Sequence, residues 1–267
     1  MPLTFAHPAA IVPIYRRNKT PNLNILSALI IGSIVPDYVL FLTLPFSRDQ
    51  SHSFLGMFWF CLPAGLISYF MFQKMLMLPM LNLLPPRVEA CILHSRAESK
   101  DVPTFLELCF YILLGVITHL VWDSFTHDNG FFVVKFPVLQ TILFSIFDYD
   151  VYIYKILQHG SSLLGMSLLA YWFIGWYRVT YVTARPEIQS APSSGMRLLI
   201  VISLLTVTIL VLFFFGNYNI RNISGILDIR DFLVNILAGS GTTLLIVLCI
   251  YSIAWNLFPF QKSQNIL

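Results

Sequence analysis

The stretch "TFLELCFYILLGVITHLVWDSFTHDNG" (Thr104–Gly130) starts as a membrane span and ends as something else. From Phe105 it is apolar for nearly the length a helix needs to cross hydrocarbon, about 20 residues. Then His119, Asp123 and His127 arrive, where lipid-buried sequence should carry no such groups. Read as a helix, positions four apart lie on one face about one turn from each other. His119 and Asp123 have that spacing, and so do Asp123 and His127. A carboxylate flanked by two imidazoles on one stripe suits metal binding. On a straight helix the two imidazoles would stand about 12 Å apart, too far to share one ion. Asp123, between them, can bridge two ions or pair with one neighbour. The "HDNG" segment also reads as a turn, which frees His127 to leave the helix.

The rest of the chain is written in the same apolar language. Of 267 residues, 57% are hydrophobic and 11% charged, against about 25% charged in an average globular protein. Phe, Tyr and Trp gather near the ends of the apolar runs, as an aromatic belt does. The expected fold is an all-α, polytopic transmembrane bundle. About six spans are legible, near 24–44, 53–73, 104–122, 160–177, 198–216 and 232–257. Two shorter apolar stretches, 5–15 and 136–147, predict one or two short re-entrant or interfacial helices. The linker-like "QSAPSSG" (189–195) divides a motif-bearing membrane domain, 1–188, from a C-terminal pair of spans, 189–267.

Six crossings put both ends on one side. Lys and Arg crowd that side, at Arg16, Arg17, Lys19, Lys74, Arg87, Arg96, Lys100, Arg178, Arg185 and Arg197 among others. The positive-inside rule makes it cytoplasmic. The loops at 45–52 and 123–159 then face outward from what would be a bacterial cytoplasmic membrane. At the N-terminus the basic residues follow the apolar part, the reverse of a cleavable signal, so no cleavage is expected. The net charge of +3 is spread over loops and does not point to a nucleic-acid partner. Cys61, Cys91, Cys109 and Cys249 are far apart in sequence and read as small hydrophobes rather than a disulfide or CxxC framework. There is no GxGxxG, P-loop, GxSxG or HExxH signature.

Ionisable residues inside a membrane are costly and usually functional. Five of the six histidines lie in compact polar clusters: His7 in "FAHP", His52 in "SHS", His119 and His127 in the opening stretch, and His159 in "QHGSS". Asp37, in "IVPDY", falls within the first long apolar run. His94 lies in the charged "LHSRAESK" and reads as solvated. Taken singly, each has an ordinary structural reading: an interhelical polar contact for His119, a helix N-cap segment for Ser51–Ser53, close packing of small residues after His159. Taken together, His7, Asp37, His52, His119, Asp123, His127 and His159 form a donor set for a divalent metal, zinc first, manganese or iron as alternatives. Asp37 is in addition the candidate general base. Thr118, Thr126 and Gln158 stand next to ligands and are placed to orient them. Arg16, Arg17, Lys135 and Lys155 are available to an anionic head group.

The segments "FAHPAA", "GSIVPD", "SHSFLGMFWFCLP", "THLVWDSFTHDNGFF" and "LQHGSSLLG" resemble a bacterial membrane family, domain-of-unknown-function family 4184, over roughly residues 2–176. More remotely, the order His7, Asp37, His52, His119, Asp123, His127, His159 resembles that of membrane-bound metal-dependent hydrolases and of the zinc-dependent phospholipases C. The phospholipase pattern implies one ion on Asp37, His52, His119 and Asp123, a second bridged by Asp123 to His7, and a third on His127 and His159. Two departures stand against a full set. The pattern's Glu four residues after the last His is Leu163 here, and nothing matches its N-terminal amine and Trp ligands. One or two ions are therefore expected.

The functional expectation is an integral-membrane, metal-dependent hydrolase acting on a phosphoester or similar bond of a membrane lipid or lipid-like substrate. The alternative is a non-catalytic ion-binding membrane protein, a transporter or assembly factor, because polar residues at helix breaks also build ion pathways. Convergence of the donors offers a test. His7 lies on the inner side by simple counting and reaches the others only if residues 5–15 dip into the membrane.

Overall fold

The computed structural model describes residues 4–15, 22–42, 44–99, 102–146, 149–184, 193–220 and 226–257. The long helices are α1 (Leu23–Gly32), α2 (Phe54–Leu81), α3 (Pro86–Glu98), α4 (Phe105–Thr126), α5 (Ile153–Thr183), α6 (Ser194–Ile220) and α7 (Ile226–Leu257). The protein is almost wholly helical, as its composition predicts. Six spans are not confirmed: among the described residues, four helical segments are long and apolar enough to cross a membrane, Phe54–Leu81, Phe105–Lys135, Ser194–Phe213 and Gly239–Leu257. A fifth is obtained if α1 and the bent continuation Val35–Phe41 count as one broken span. These helices mark the chain as an integral membrane protein. The stretch near 160–177 lies in α5, which is long enough at 31 residues. It does not qualify because Ser161, Ser162 and Ser167, with several Tyr and Trp, dilute its apolar character.

The short helix expected over 136–147 also differs. Among the described residues of that stretch, only Pro137–Gln140 is helical, as one 3₁₀ turn. Strand β1 (Ile142–Ile146) then pairs antiparallel with β2 (Tyr149–Tyr152). The sequence "ILFSI" followed by "YDVY" is rich in β-branched and aromatic residues, which favour a pleated ribbon over a helix.

The chain divides into two compact units. The first comprises Met1–Asp37, Ser47–Tyr69 and His94–Thr183, and it contains every predicted metal ligand. Its centre is the crossing of α1 and α4. Gly32 and Gly115 face each other there: a Cβ on Gly32 would run into the Ile112 carbonyl, and one on Gly115 into the Leu29 carbonyl. Glycine is what lets the two backbones approach this closely. Around the crossing, Ile11 and Leu29 are buried, with Ile25, Leu26, Ile30, Tyr111, Leu114 and Trp172 packed against them. The helix α4 starts with a capping box, Thr104 and Glu107 each bonding the other's backbone N–H, which satisfies donors a helix start leaves open.

The second unit comprises Tyr38–Phe46, Phe70–Leu93 and Ala184–Leu267, with α6 and α7 packed on one another. Arg197 is buried there, paired with Glu89 at 2.8 Å and bonded to the Leu84 carbonyl. All four cysteines are free thiols, with Cys61 and Cys91 buried.

Candidate metal centre

The site is assembled from helix ends. Helix α1 stops ahead of Pro36, whose ring removes a backbone donor and disfavours helix in the residue before it. A helix end leaves carbonyls without intrahelical donors. The Ser33 carbonyl is one of them, and His119 Nδ1 lies 2.8 Å from it. The 3₁₀ turn Val35–Asp37 then carries Asp37 inward, where it is 4% exposed. Thr4 donates to Asp37 Oδ2 at 2.5 Å, leaving Oδ1 to face the imidazoles.

His52 comes from a different break. Ser47 and Gln50 form a capping box around the single turn Arg48–Ser51, and His52 caps its C-terminal end. Its Nδ1 lies 3.0 Å from the Arg48 carbonyl. Ser51 Oγ lies 2.9 Å from the Pro36 carbonyl, which ties this turn to the one carrying Asp37. Ser53 caps the start of α2 by accepting from Gly56 N–H, so the N-cap reading of this segment holds for Ser53.

A carbonyl oxygen can only accept, so His119 Nδ1 carries its proton toward Ser33 and its Nε2 keeps a lone pair. His52 Nδ1 lies 3.0 Å from the Ser51 hydroxyl as well as from the Arg48 carbonyl, and the tautomer that donates to the carbonyl presents a bare Nε2 too. The two Nε2 atoms face each other at 3.2 Å. Asp37 Oδ1 stands 3.5 Å from His52 Nε2 and 3.7 Å from His119 Nε2. Asp123 Oδ2 stands 3.3 Å and 3.4 Å from the same two nitrogens. One atom from each of the four residues falls within 4.8 Å of all the others. Tetrahedral bonds of about 2.0–2.2 Å to N and O would hold such donors about 3.3–3.6 Å apart. The cluster therefore has the dimensions of a ligand shell, and with His52 in that tautomer it offers four converging acceptors. A buried Asp–His–His–Asp group of this kind can bind a metal ion.

Without a metal, a proton on His52 Nε2 serves the same need. Burial opposes the charged imidazole, but hydrogen bonds to Asp123 and Asp37 outweigh it and raise the His52 pKa above its ordinary value.

Asp123 faces two ways. Its Oδ1 makes no hydrogen bond and lies 3.5 Å from His7 Nε2 and 3.4 Å from His127 Nδ1. His7 is 1% exposed, stacked on the His119 ring at 3.9 Å, and neither of its nitrogens has a hydrogen-bond partner. Three unpartnered buried atoms, two on His7 and one on Asp123, are costly unless something binds them.

This arrangement is built on sequence that matches a known family. Residues 1–253 match the family described as Domain of unknown function (DUF4184). The chain belongs to that family. No curated protein and no solved structure matches it. The DUF4184 match extends past residue 176 and takes in α6 and most of α7 as well as every site residue.

Within this DUF4184 chain, six of the seven predicted donors are brought together: His7, Asp37, His52, His119, Asp123 and His127. The one-face reading of His119 and Asp123 is seen directly. His127 has left the helix, with φ −119° and ψ 147°, yet its ring turns back to Asp123. His7 reaches the others through the 3₁₀ segment Thr4–Ile11, which has Pro8 inside it rather than at its end. His159 is exposed on α5, and the neighbouring Gln158 points to His127 instead, at 3.4 Å. Thr126 Oγ1 is 3.4 Å from His127 Nδ1, whereas Thr118 bonds its own helix at the Gly115 carbonyl. His94 pairs with Glu98 on α3, away from the cluster.

Sequence reasoning missed Arg48. Its guanidinium Nη2 bonds Asp123 Oδ2, the oxygen that faces the two Nε2 atoms. A signal was present in "SRDQ", a Ser-x-x-Gln capping box that marks a helical turn rather than a free loop. It missed Thr4 and the Ser33 carbonyl as well.

Beside the site, Ala10, Ile117, Val121, Trp122, Phe125 and Leu157 line most of an open, apolar groove of about 560 Å³. The Trp122 ring sits 5.3 Å from His7, and its Nε1 donates to Ser161 on the groove wall.

Proposed function

We propose that this chain is a metal-dependent hydrolase of the membrane, acting on a phosphoester or similar bond of a lipid-like substrate. The observation that carries the reading is the pair of Nε2 atoms, His52 and His119, facing each other between two carboxylates. A divalent cation bound there would supply Lewis acidity, lowering the pKa of a water and polarising a phosphoryl oxygen. Zinc suits the mixed N and O donors, with manganese or iron as alternatives. Asp37, His52, His119 and Asp123 hold the first ion in this reading. His7 and Asp123 Oδ1, with His127, supply donors for a second.

The chain's own residues prepare the rest. The Ser33 carbonyl fixes the His119 tautomer, the Arg48 carbonyl and the Ser51 hydroxyl hold the His52 ring, and Thr4 fixes the Asp37 carboxylate. Asp37 is either a ligand or the group that accepts a proton from the attacking water. The lipid-like part of the reading is supported by the groove beside Trp122, whose volume suits part of an aliphatic chain. The outward placement rests on the Lys and Arg bias between loops. Six donors from separate segments gather round Asp123 and its neighbours, which favours one cavity over a transport path strung along a span.

The test is a metal assay followed by turnover. Protein extracted in mild detergent should carry zinc, manganese or iron near stoichiometry, and should release phosphate or head group from a fluorescent alkyl phosphodiester. A chelator should stop this, and added metal should restore it. Bound metal with no turnover of any phosphoester would leave the ion-binding alternative standing and reject the hydrolase.

A further inference from the structure

We infer that Arg48 is one half of an oxyanion-binding position, the other half being a cation held by Asp37, His52, His119 and Asp123. The inference rests on the proposed metal site and deepens it by naming what the substrate must present: a phosphoryl or similar oxyanion.

Three observations carry it. The first is charge. Asp37 and Asp123 bring two negative charges, and the Arg48 guanidinium brings one positive. Imidazoles that donate to a metal are neutral. The set is thus net negative by one charge, and a divalent cation turns it net positive by one. A buried excess of positive charge next to a low-dielectric wall calls for an anion.

The second is access. The side chains of His7, Asp37, His119 and Asp123 are at most 6% exposed, while that of Arg48 is 23% exposed. His52 and His127 fall between. Arg48 is the cluster's most open charged group, so an anion arriving from outside meets it early.

The third is geometry. Arg48 binds Asp123 through Nη2 alone among its described contacts, and a guanidinium presents further donors in a planar fork that matches phosphate. The Ser47–Gln50 capping box and the Arg48 carbonyl's contacts with His52 fix the backbone from which this fork projects. An oxyanion could therefore bridge the cation and the fork.

The test uses the full chain in detergent micelles, loaded with cobalt(II), whose visible spectrum reports its ligand shell, with inorganic phosphate as the probe. Phosphate should perturb the wild-type cobalt spectrum with a definite midpoint. R48Q should keep its cobalt but need at least about tenfold more phosphate. R48K, which keeps the charge without the fork, should fall between. Equal phosphate midpoints in wild type and R48Q overturn the inference alone, leaving the metal site intact. Loss of cobalt in R48Q also overturns it, because Arg48 would then serve the ligands rather than an anion. Wild type that binds cobalt but ignores phosphate sinks both this inference and the phosphoester reading. Wild type that binds no cobalt removes the metal site itself. If R48Q does not fold, R48K decides, and undiminished phosphate binding overturns the inference.

Discussion

His52 Nε2 and His119 Nε2 lie 3.2 Å apart while each ring's Nδ1 lies against a backbone carbonyl. Two nitrogens so placed repel unless a proton or a metal stands between them. The protein holds this pair together with backbone geometry, through the α1 terminus for one ring and the Arg48–Ser51 turn for the other.

Removing a donor should therefore empty the site. H119A and D123A should lower zinc affinity by more than about 100-fold, beyond the 10–100-fold typical of losing an outer partner. H94A, on α3, should bind like wild type. Equilibrium dialysis with metal analysis makes the comparison, and matching affinities in all three variants would contradict the assignment.

Protons should compete with the metal at His52. Its pKa is raised, so in chelator its charged form stabilises the fold below the ordinary imidazole value, and that contribution is lost as pH rises through the raised pKa. Metal affinity should run the other way, climbing with pH until His52 is neutral. H52N should flatten both profiles. Thermal melts in chelator and zinc titrations between pH 5.5 and 8.5, about the span over which an imidazole titrates, would read them out.

The α1–α4 crossing should be intolerant of bulk. In G115A the new methyl group meets the Leu29 carbonyl and the Ser33 N–H. Overpacking of this kind costs about 1–3 kcal/mol. Because the same strand of backbone presents the Ser33 carbonyl to His119, the variant should lose metal affinity as well as stability. G160A meets nothing within 4 Å, lies inside α5, and should be neutral or stabilising by up to about 1 kcal/mol. Melting temperature and zinc content measured on both variants separate the cases.

The groove should matter for chain binding and not for metal. Dodecyl phosphate should bind the metal-loaded protein at least about tenfold more tightly than inorganic phosphate, a modest return on burying several methylenes at ~0.8 kcal/mol each. V121W, which fills one wall, should narrow that difference while metal content stays unchanged. Calorimetry with the two phosphates is the check, and an unchanged preference would remove the groove from the substrate reading.

Much of this was legible because helical periodicity is local. The apolar run of α4 and the four-residue spacing of His119 and Asp123 fix both a helix and its polar stripe without reference to the rest of the chain. Asp37 was visible as a carboxylate within an apolar run, and His52 as an imidazole in a polar cluster just ahead of one. What could not be read is which loop returns to which helix end. Nothing local to Arg48 tells that the turn it sits on lies beside Asp123. His159 looked equivalent to the other histidines, but one residue of helical rotation gives its inward position to Gln158. The pairing of Ile142–Ile146 with Tyr149–Tyr152 was hidden because a short apolar run fits a buried helix segment and a strand equally well.

The place of His7 has a consequence for how the molecule is made. It leaves the ribosome long before His119 and Asp123, the residues it stacks on and faces. During synthesis its imidazole lacks the His119 ring, the Trp122 edge and the Asp123 carboxylate until α4 has been made. Closure of the centre is thus a late event of biogenesis, and a nascent chain halted before α4 should carry its first histidine unshielded.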